Sequence, residues 1–195
     1  MKKVALLLAF AGAGLLCAQE APLLQAPALQ LAAPTRPLAP PPEVASPLPD
    51  ARLHGSATLR FFGLDIYQAS LWVPAGFDPA RWQQQTFALE LVYLRDLKGR
   101  AIAQRSVAEM RRQDTLDDTL AGQWEARMAA LFPDVRRGDR ITGVHLPGRG
   151  ARFVANGREL GEVADPRFAR MFFGIWLAPQ TSEPGMRTAL LGLRP

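Results

Sequence analysis

The sequence predicts an α+β fold, in which helices cover one face of an antiparallel sheet. Strand-like alternation fills the first part of the domain, between residues 53 and 94, and two amphipathic helical patterns follow it over residues 99–131. A hairpin and two capped helices complete the chain. Because strands and helices come in groups and do not alternate one by one, an antiparallel α+β arrangement is favoured over a βαβ repeat.

Three strands are predicted before the first long helix. Side chains alternate between apolar and polar from Leu53 to Phe61, Gly63 interrupts the pattern, and apolar residues resume over 66–73. This arrangement predicts that the first two strands form a hairpin. The third strand covers 86–94, and Glu90 favours the register in which Phe87, Leu89, Leu91 and Tyr93 point inward over the opposite register.

Two further strands and a hairpin are predicted late in the chain. The strands cover residues 140–146 and 151–154. Asn156-Gly157 follows them and is the strongest hairpin turn in the sequence, because both residues accept the positive φ angles that a tight hairpin turn requires.

Helices are predicted from periodicity and from capping residues. Apolar side chains recur at helical spacing over residues 99–113 and 117–131, which should place both helices against the sheet. An aspartate followed by proline is a common helix start, since the acid caps the helix and proline fits its first position. This signal occurs at Asp78-Pro79 and Asp165-Pro166, and the last helix begins at Ser182-Glu183-Pro184 and ends near Leu191.

Composition limits the classes of function. The chain has 195 residues and a formal net charge of +5, and its domain from Ala51 onward is long enough to bury a core without disulfides. The arginines are scattered, with no zinc-finger or RNA-binding signature, so no nucleic-acid partner is predicted. His54 and His145 are the only histidines, and they lack ligand spacing, so neither a metal nor another cofactor is predicted.

The N-terminal residues have the layout of a secretory signal. Two lysines precede an apolar run over residues 4–17, too short for a permanent membrane span, and cleavage is predicted after Ala18. The protein is therefore expected to be periplasmic or secreted. Lipidation of Cys17 is the alternative, and it is the one route by which membrane association is predicted. Residues 19–50 are predicted to be a Pro/Ala-rich disordered linker, and the domain to cover 51–195.

The order of three late motifs, together with residues 53–73, resembles the chalcone isomerase-like domain of exported bacterial proteins. The motifs are the Asn156-Gly157 hairpin, a helix that enters at Asp165-Pro166 and continues into Phe173-Gly174-Ile175-Trp176, and the segment 181–184. The similarity covers almost all of residues 52–193. It implies an open-faced β-sandwich with a ligand cleft between the sheet and the helices.

The same resemblance implies where site residues lie. In the family's isomerases, an arginine on the first strand falls here at Leu59 or Arg60, depending on register, and a threonine on the second strand falls near Tyr67. The tyrosine and lysine of the helix after the third strand fall near Ile102 and Arg105. Only the hydroxyl before the last helix is kept, as Thr181 or Ser182.

These replacements favour binding over catalysis. Members of the family that lack catalysis bind fatty acids through an arginine and a tyrosine, and the resemblance implies an amphipathic carboxylate ligand held by Arg60, Tyr67 and Arg105, with Thr181 and Ser182 nearby. Two alternatives stay open: an isomerase that uses Arg60, Arg105 or Ser182, and an envelope scaffold. The alternatives for these residues are that Tyr67 fills core, that Arg60 is a solvated strand residue, and that Arg105 pairs with Glu109 or Asp96. The oligomeric state is not predicted.

Overall fold

The computed structural model describes residues 39–193. The predicted signal sequence, Cys17, the cleavage position and the linker as far as residue 38 lie outside the described residues. The described residues form six strands: β1 (Arg52–Phe61), β2 (Leu64–Val73), β3 (Phe87–Tyr93), β4 (Arg140–Leu146), β5 (Gly150–Ala155) and β6 (Arg158–Val163). The helices are α1 (Pro42–Ala45), α2 (Gly99–Met110), α3 (Asp118–Leu131), α4 (Pro166–Leu177) and α5 (Pro184–Leu191), with a 3₁₀ helix at Pro79–Gln84.

The strands form a single antiparallel sheet in the order in which they occur along the chain, from β1 to β6. The predicted α+β fold is confirmed. Both predicted Asp-Pro helix starts are confirmed. The side chain of Asp78 accepts a hydrogen bond from the backbone N–H of Ala80, and that of Asp165 accepts from the backbone N–H groups of Arg167 and Phe168. Within residues 39–193, no helix combines the length and apolar character needed to span a bilayer.

The face of the sheet under α2 to α5, called here the helix face, holds the main core. Phe87, Leu89, Leu91 and Tyr93 of β3 point toward it, as predicted. The ring of Phe153 lies at its centre, with centroids 5.0 Å from Phe132 and 5.1 Å from Phe172. Gly143 lies beneath, where an added Cβ would come within 3.3 Å of both Phe153 and Phe173, so the absence of a side chain is what lets the two rings approach the sheet.

Residues 42–51, called here the strap, cover part of the opposite face of the sheet. Val44 is fully buried, and Leu48 and Ala51 are nearly so, where they pack against Trp72, Ala88 and Val144. The prediction of a disordered linker up to residue 50 is therefore wrong for these residues. The proline content that suggested an extended tether is compatible with a short helix that has proline at its first position.

A charged cluster is buried between the strap and the sheet. Arg140 Nε lies 3.0 Å from an oxygen of Glu43 in α1 and 3.4 Å from an oxygen of Glu90 in β3. The indole of Trp72 donates a hydrogen bond of 3.2 Å to the second oxygen of Glu90. Burial raises the pKa of the Glu90 carboxyl, against the opposing effects of Trp72 and Arg140. The face of the sheet under the strap, called here the strap face, thus buries charged side chains, whereas the helix face buries mainly aromatic and aliphatic ones.

Candidate functional site

A cavity of about 370 Å³ lies between the helix face of the sheet and helices α2 and α4. Its walls are mostly apolar and include Leu59, Leu91, Ile102, Phe172 and Ile175. Volume and lining both fall in the range typical of small-molecule sites.

Helix α2 leaves this space open because it packs mainly against α3 and α4, and less closely on the strands. Its start is fixed from outside the helix. The Asp134 carboxylate accepts a hydrogen bond from the backbone N–H of Gly99, and Gly99 lies so close to the Phe132 carbonyl that a Cβ would collide with it. Of the α2 residues that face the cavity, only Ile102 is a large apolar side chain, and the others are Ala101, Arg105, Ser106 and Glu109.

Two tyrosines supply polar groups inside the cavity. Trp176 Nε1 donates a hydrogen bond of 3.0 Å to the hydroxyl oxygen of Tyr67, which leaves the Tyr67 proton available for donation. The ring of Tyr93 lies 6.1 Å from that of Tyr67, centroid to centroid. Burial raises the pKa of Tyr67 to about 12, and burial raises that of Tyr93 as well. Both phenols are therefore protonated at neutral pH, so each can donate a hydrogen bond to a ligand.

An arginine and a glutamate on α2 add charge to the cavity wall. Arg105 is largely exposed, and its guanidinium contacts the Glu109 carboxylate at 2.6 Å. Glu109 is buried, and its second oxygen lies 3.6 Å from Arg112 Nε without a hydrogen-bond donor among the described residues. The guanidinium has five N–H groups, so pairing with Glu109 leaves donors that can face an incoming anion.

A family model described as chalcone isomerase-like matches residues 44–192. The chain belongs to the chalcone isomerase-like family. An uncharacterised protein of Haemophilus influenzae is 28% identical over 138 residues, which is 71% of this chain. The match spans 66% of that protein's own length. The crystal structure of a fatty-acid binding protein of Arabidopsis thaliana has the same fold, with a TM-score of 0.56 and 15% identity over 73% of this chain and 87% of the plant chain.

Within this chalcone isomerase-like domain, the structure brings together three of the five predicted ligand residues. Tyr67, Arg105 and Ser182 line the cavity. Thr181 does not, because its hydroxyl is held behind the wall, where it donates to the Ile175 carbonyl at 2.7 Å and accepts from the Glu183 backbone at 3.1 Å.

Arg60 is not in the cavity either, and this placement corrects the prediction. Its side chain is 72% exposed and forms an ion pair of 2.6 Å with Asp65. Leu59 and Phe61 line the cavity instead. Adjacent strand residues face opposite sides of a sheet, so the one-residue ambiguity of register between Leu59 and Arg60 is resolved in favour of Leu59. At this point of the cavity wall the chain therefore has a leucine and not an arginine.

Trp176 also lines the cavity, as do Tyr93 and Glu109, and the last two were not among the predicted ligand residues. A signal for Glu109 exists in the sequence, because Ile102, Arg105, Ser106 and Glu109 are spaced so that they share one face of a helix. Tyr93 lies on the inward set of β3, as the alternation predicted. Within residues 39–193, no group of three or more histidine, cysteine or acidic side chains is arranged to hold a metal ion.

Proposed function

We propose that this domain, in an exported protein, binds an amphipathic carboxylate such as a fatty acid without transforming it. The observation that carries the proposal is the apolar cavity of about 370 Å³, with two protonated phenols inside it and Arg105 at its edge. The name of the Arabidopsis relative, a fatty-acid binding protein of the same fold, supports this choice of ligand.

The affinity of such a complex has an apolar contribution from the cavity walls and a polar contribution from the phenols and Arg105. Each methylene group that leaves water for the apolar part contributes about 0.8 kcal/mol. The carboxylate would accept hydrogen bonds from the phenols and from the free N–H groups of Arg105, whose contribution is reduced by its exposure and by its pairing with Glu109. The apolar chain therefore supplies most of the affinity, and the polar groups determine which headgroup is accepted.

The residues present favour binding over isomerisation. Leu59, Ile102 and Arg105 line the cavity, at or near the positions to which the resemblance assigns an arginine, a tyrosine and a lysine of the family's isomerases. An isomerase remains the second candidate because of one observation: Glu109 is a buried carboxylate of the cavity wall with an oxygen that accepts no hydrogen bond within the described residues, and a carboxylate in that setting is suited to act as a general base.

Titration with a series of saturated fatty acids, from lauric to stearic acid, and with the matching primary alcohols tests the proposal. We expect wild-type protein to bind the acids and its affinity to rise with chain length. Arg105→Gln should weaken acid binding about tenfold and leave alcohol binding unchanged, since the alcohol carries no charge. Arg149→Gln is the matched control, because it removes the same charge from an exposed turn outside the cavity wall.

Two results would contradict the proposal. If native mass spectra show no fatty acid bound to the protein and no fatty acid shifts its melting temperature, the cavity does not bind such ligands. If chalcones are converted faster than in buffer and Glu109→Gln abolishes the conversion, the isomerase is the correct function.

A further inference from the structure

Two hairpins at the same end of the sheet have the same kind of turn but different residues in it. Phe61 pairs with Leu64 across a two-residue turn, and Ala155 pairs with Arg158 across another. The central residues have φ angles of 48° and 75° at Phe62-Gly63, and of 48° and 81° at Asn156-Gly157. Two positive φ angles are typical of a type I′ turn, which favours Asn-Gly. Asn156 suits its turn, whereas a bulky aromatic residue at Phe62 is strained there.

Burial of Phe62 in the core does not offset that strain. Its side chain is 88% exposed and touches the ring of Phe61, which is itself 55% exposed. Leu64, the next side chain on the turn, is 45% exposed. Residues 61–64, called here the β1–β2 tip, are thus an apolar projection that burial does not explain. A strained and exposed aromatic residue indicates a role outside folding.

Exposed arginines extend across this end of the sheet, from the loop after β3 to the start of β6. The ends of β1, β3 and β5 meet here, together with the loops that follow β3 and precede β4. The acidic residues of these loops are bound to backbone N–H groups: Asp96 accepts from Arg137, Asp134 from Gly99 and Asp139 from Arg136. Five arginine side chains here are exposed and have no carboxylate within 4 Å among residues 39–193: Arg95, Arg100, Arg136, Arg137 and Arg158.

We propose that the β1–β2 tip inserts into the interface of a lipid bilayer with anionic headgroups, and that the surrounding arginines contact those headgroups. An apolar projection beside unpaired basic side chains is the combination that such a surface attracts. Phe61 and Ile66 line the cavity, so the cavity opens beside the inserted residues. This contact requires no lipidation of Cys17, and it does not depend on which ligand the cavity holds.

The decisive variant is Phe62→Asn in the full-length chain. Because asparagine is favoured at this turn position, the variant should raise the melting temperature by about 2–4 °C. It should also weaken binding about tenfold to vesicles of phosphatidylcholine with phosphatidylglycerol, measured by flotation. Leu53→Ser is the control, because Leu53 is an exposed apolar residue at the other end of β1. Residues 1–38 are the same in every variant, so differences between variants report on the tip.

The charge contribution is tested by the double variant Arg136→Gln with Arg137→Gln, with Arg149→Gln as control. We expect the double variant to lose affinity for vesicles with phosphatidylglycerol and to show weaker salt dependence, while the control keeps the wild-type affinity and salt dependence.

Equal vesicle binding by wild type and Phe62→Asn, or absence of binding by wild type, would overturn the proposal. A dimer in sedimentation that Phe62→Asn dissociates would also overturn it, since the tip would then contact a second copy. Lauric acid binding without vesicles, measured on the same variants, reports on the cavity separately.

Discussion

The two faces of the sheet are buried by different means. The helix face is covered by four helices, and its centre is a set of interlocked rings around Phe153. The opposite face is covered in part by the strap, and beneath it lie a small apolar cluster and the Glu43, Glu90 and Arg140 charges. We therefore expect a side chain lost from the helix face to leave a cavity, and the short strap to shift into a gap left on the opposite face.

This difference predicts the largest effect of a single substitution. Phe153→Ala should lower the free energy of unfolding by about 3–5 kcal/mol, because the rings around the vacated space are fixed by their own neighbours. Leu48→Ala in the strap should cost about 2 kcal/mol, at the low end for a buried leucine, because the short strap can settle into the gap. Urea denaturation of both variants measures the two losses.

Equal losses would contradict the distinction. They would mean that the strap is as integral to folding as the helices are. A change in the slope of the urea transition for Leu48→Ala would indicate instead that the strap detaches separately.

The sequence predicted the helix face far better than the strap. Alternation in β3 placed Phe87, Leu89, Leu91 and Tyr93 on the inward side because burial of one face imposes a period of two. The strap was missed because proline and alanine are abundant in it, and composition alone does not show that Val44 and Leu48 meet a sheet face. Glu90 identified the inward face of β3, yet it is itself buried, by a segment distant in sequence.

The site was predicted in part for a similar reason. Tyr67 and Arg105 reach the cavity, as the resemblance implied, whereas Arg60 does not. Alternation from Leu53 to Phe61 puts Arg60 on the face opposite Leu59 and Phe61, and the structure keeps that arrangement, so the error came from assigning the family's first-strand arginine to Arg60. The hydrogen bond that Trp176 donates to Tyr67 joins residues 109 positions apart, so no local sequence pattern indicates it.

A second, smaller effect is expected in the charged cluster of the strap face. Arg140→Gln should cost about 2 kcal/mol, because it leaves the Glu43 and Glu90 carboxylates buried near each other without a cation; the partial exposure of Arg140 reduces this from the value for a fully buried pair. Glu43→Gln should cost about 1 kcal/mol, since Arg140 keeps Glu90. Melting temperatures measured at neutral pH compare the stability losses of the two variants. A larger loss for Glu43→Gln would show that the strap contact, and not the cation, holds the cluster together.

The smallest effect concerns pH, and it separates the faces by sign. On the helix face, burial lowers the pKa of His145, whose ring stacks on Phe87 and whose Nδ1 lies 2.8 Å from the Gln85 carbonyl oxygen. The unfolded chain then binds more protons than the folded one, so stability is lost as pH falls below about 6.5. On the strap face the pKa of Glu90 is raised, so stability is lost as pH rises above about 4.5.

The two groups therefore give opposite slopes to the free energy of unfolding: His145 gives a positive slope with pH just below about 6.5 and Glu90 a negative slope just above about 4.5, each at most about 1.4 kcal/mol per pH unit. His145→Gln should flatten the rise of stability with pH just below about pH 6.5, and Glu90→Gln should remove the decline just above about pH 4.5. Urea midpoints measured at several pH values test both. If the two variants change the slope in the same direction, the buried groups do not differ in the way that their surroundings require, and the contrast between a ring-lined face and a charged face fails as an account of stability.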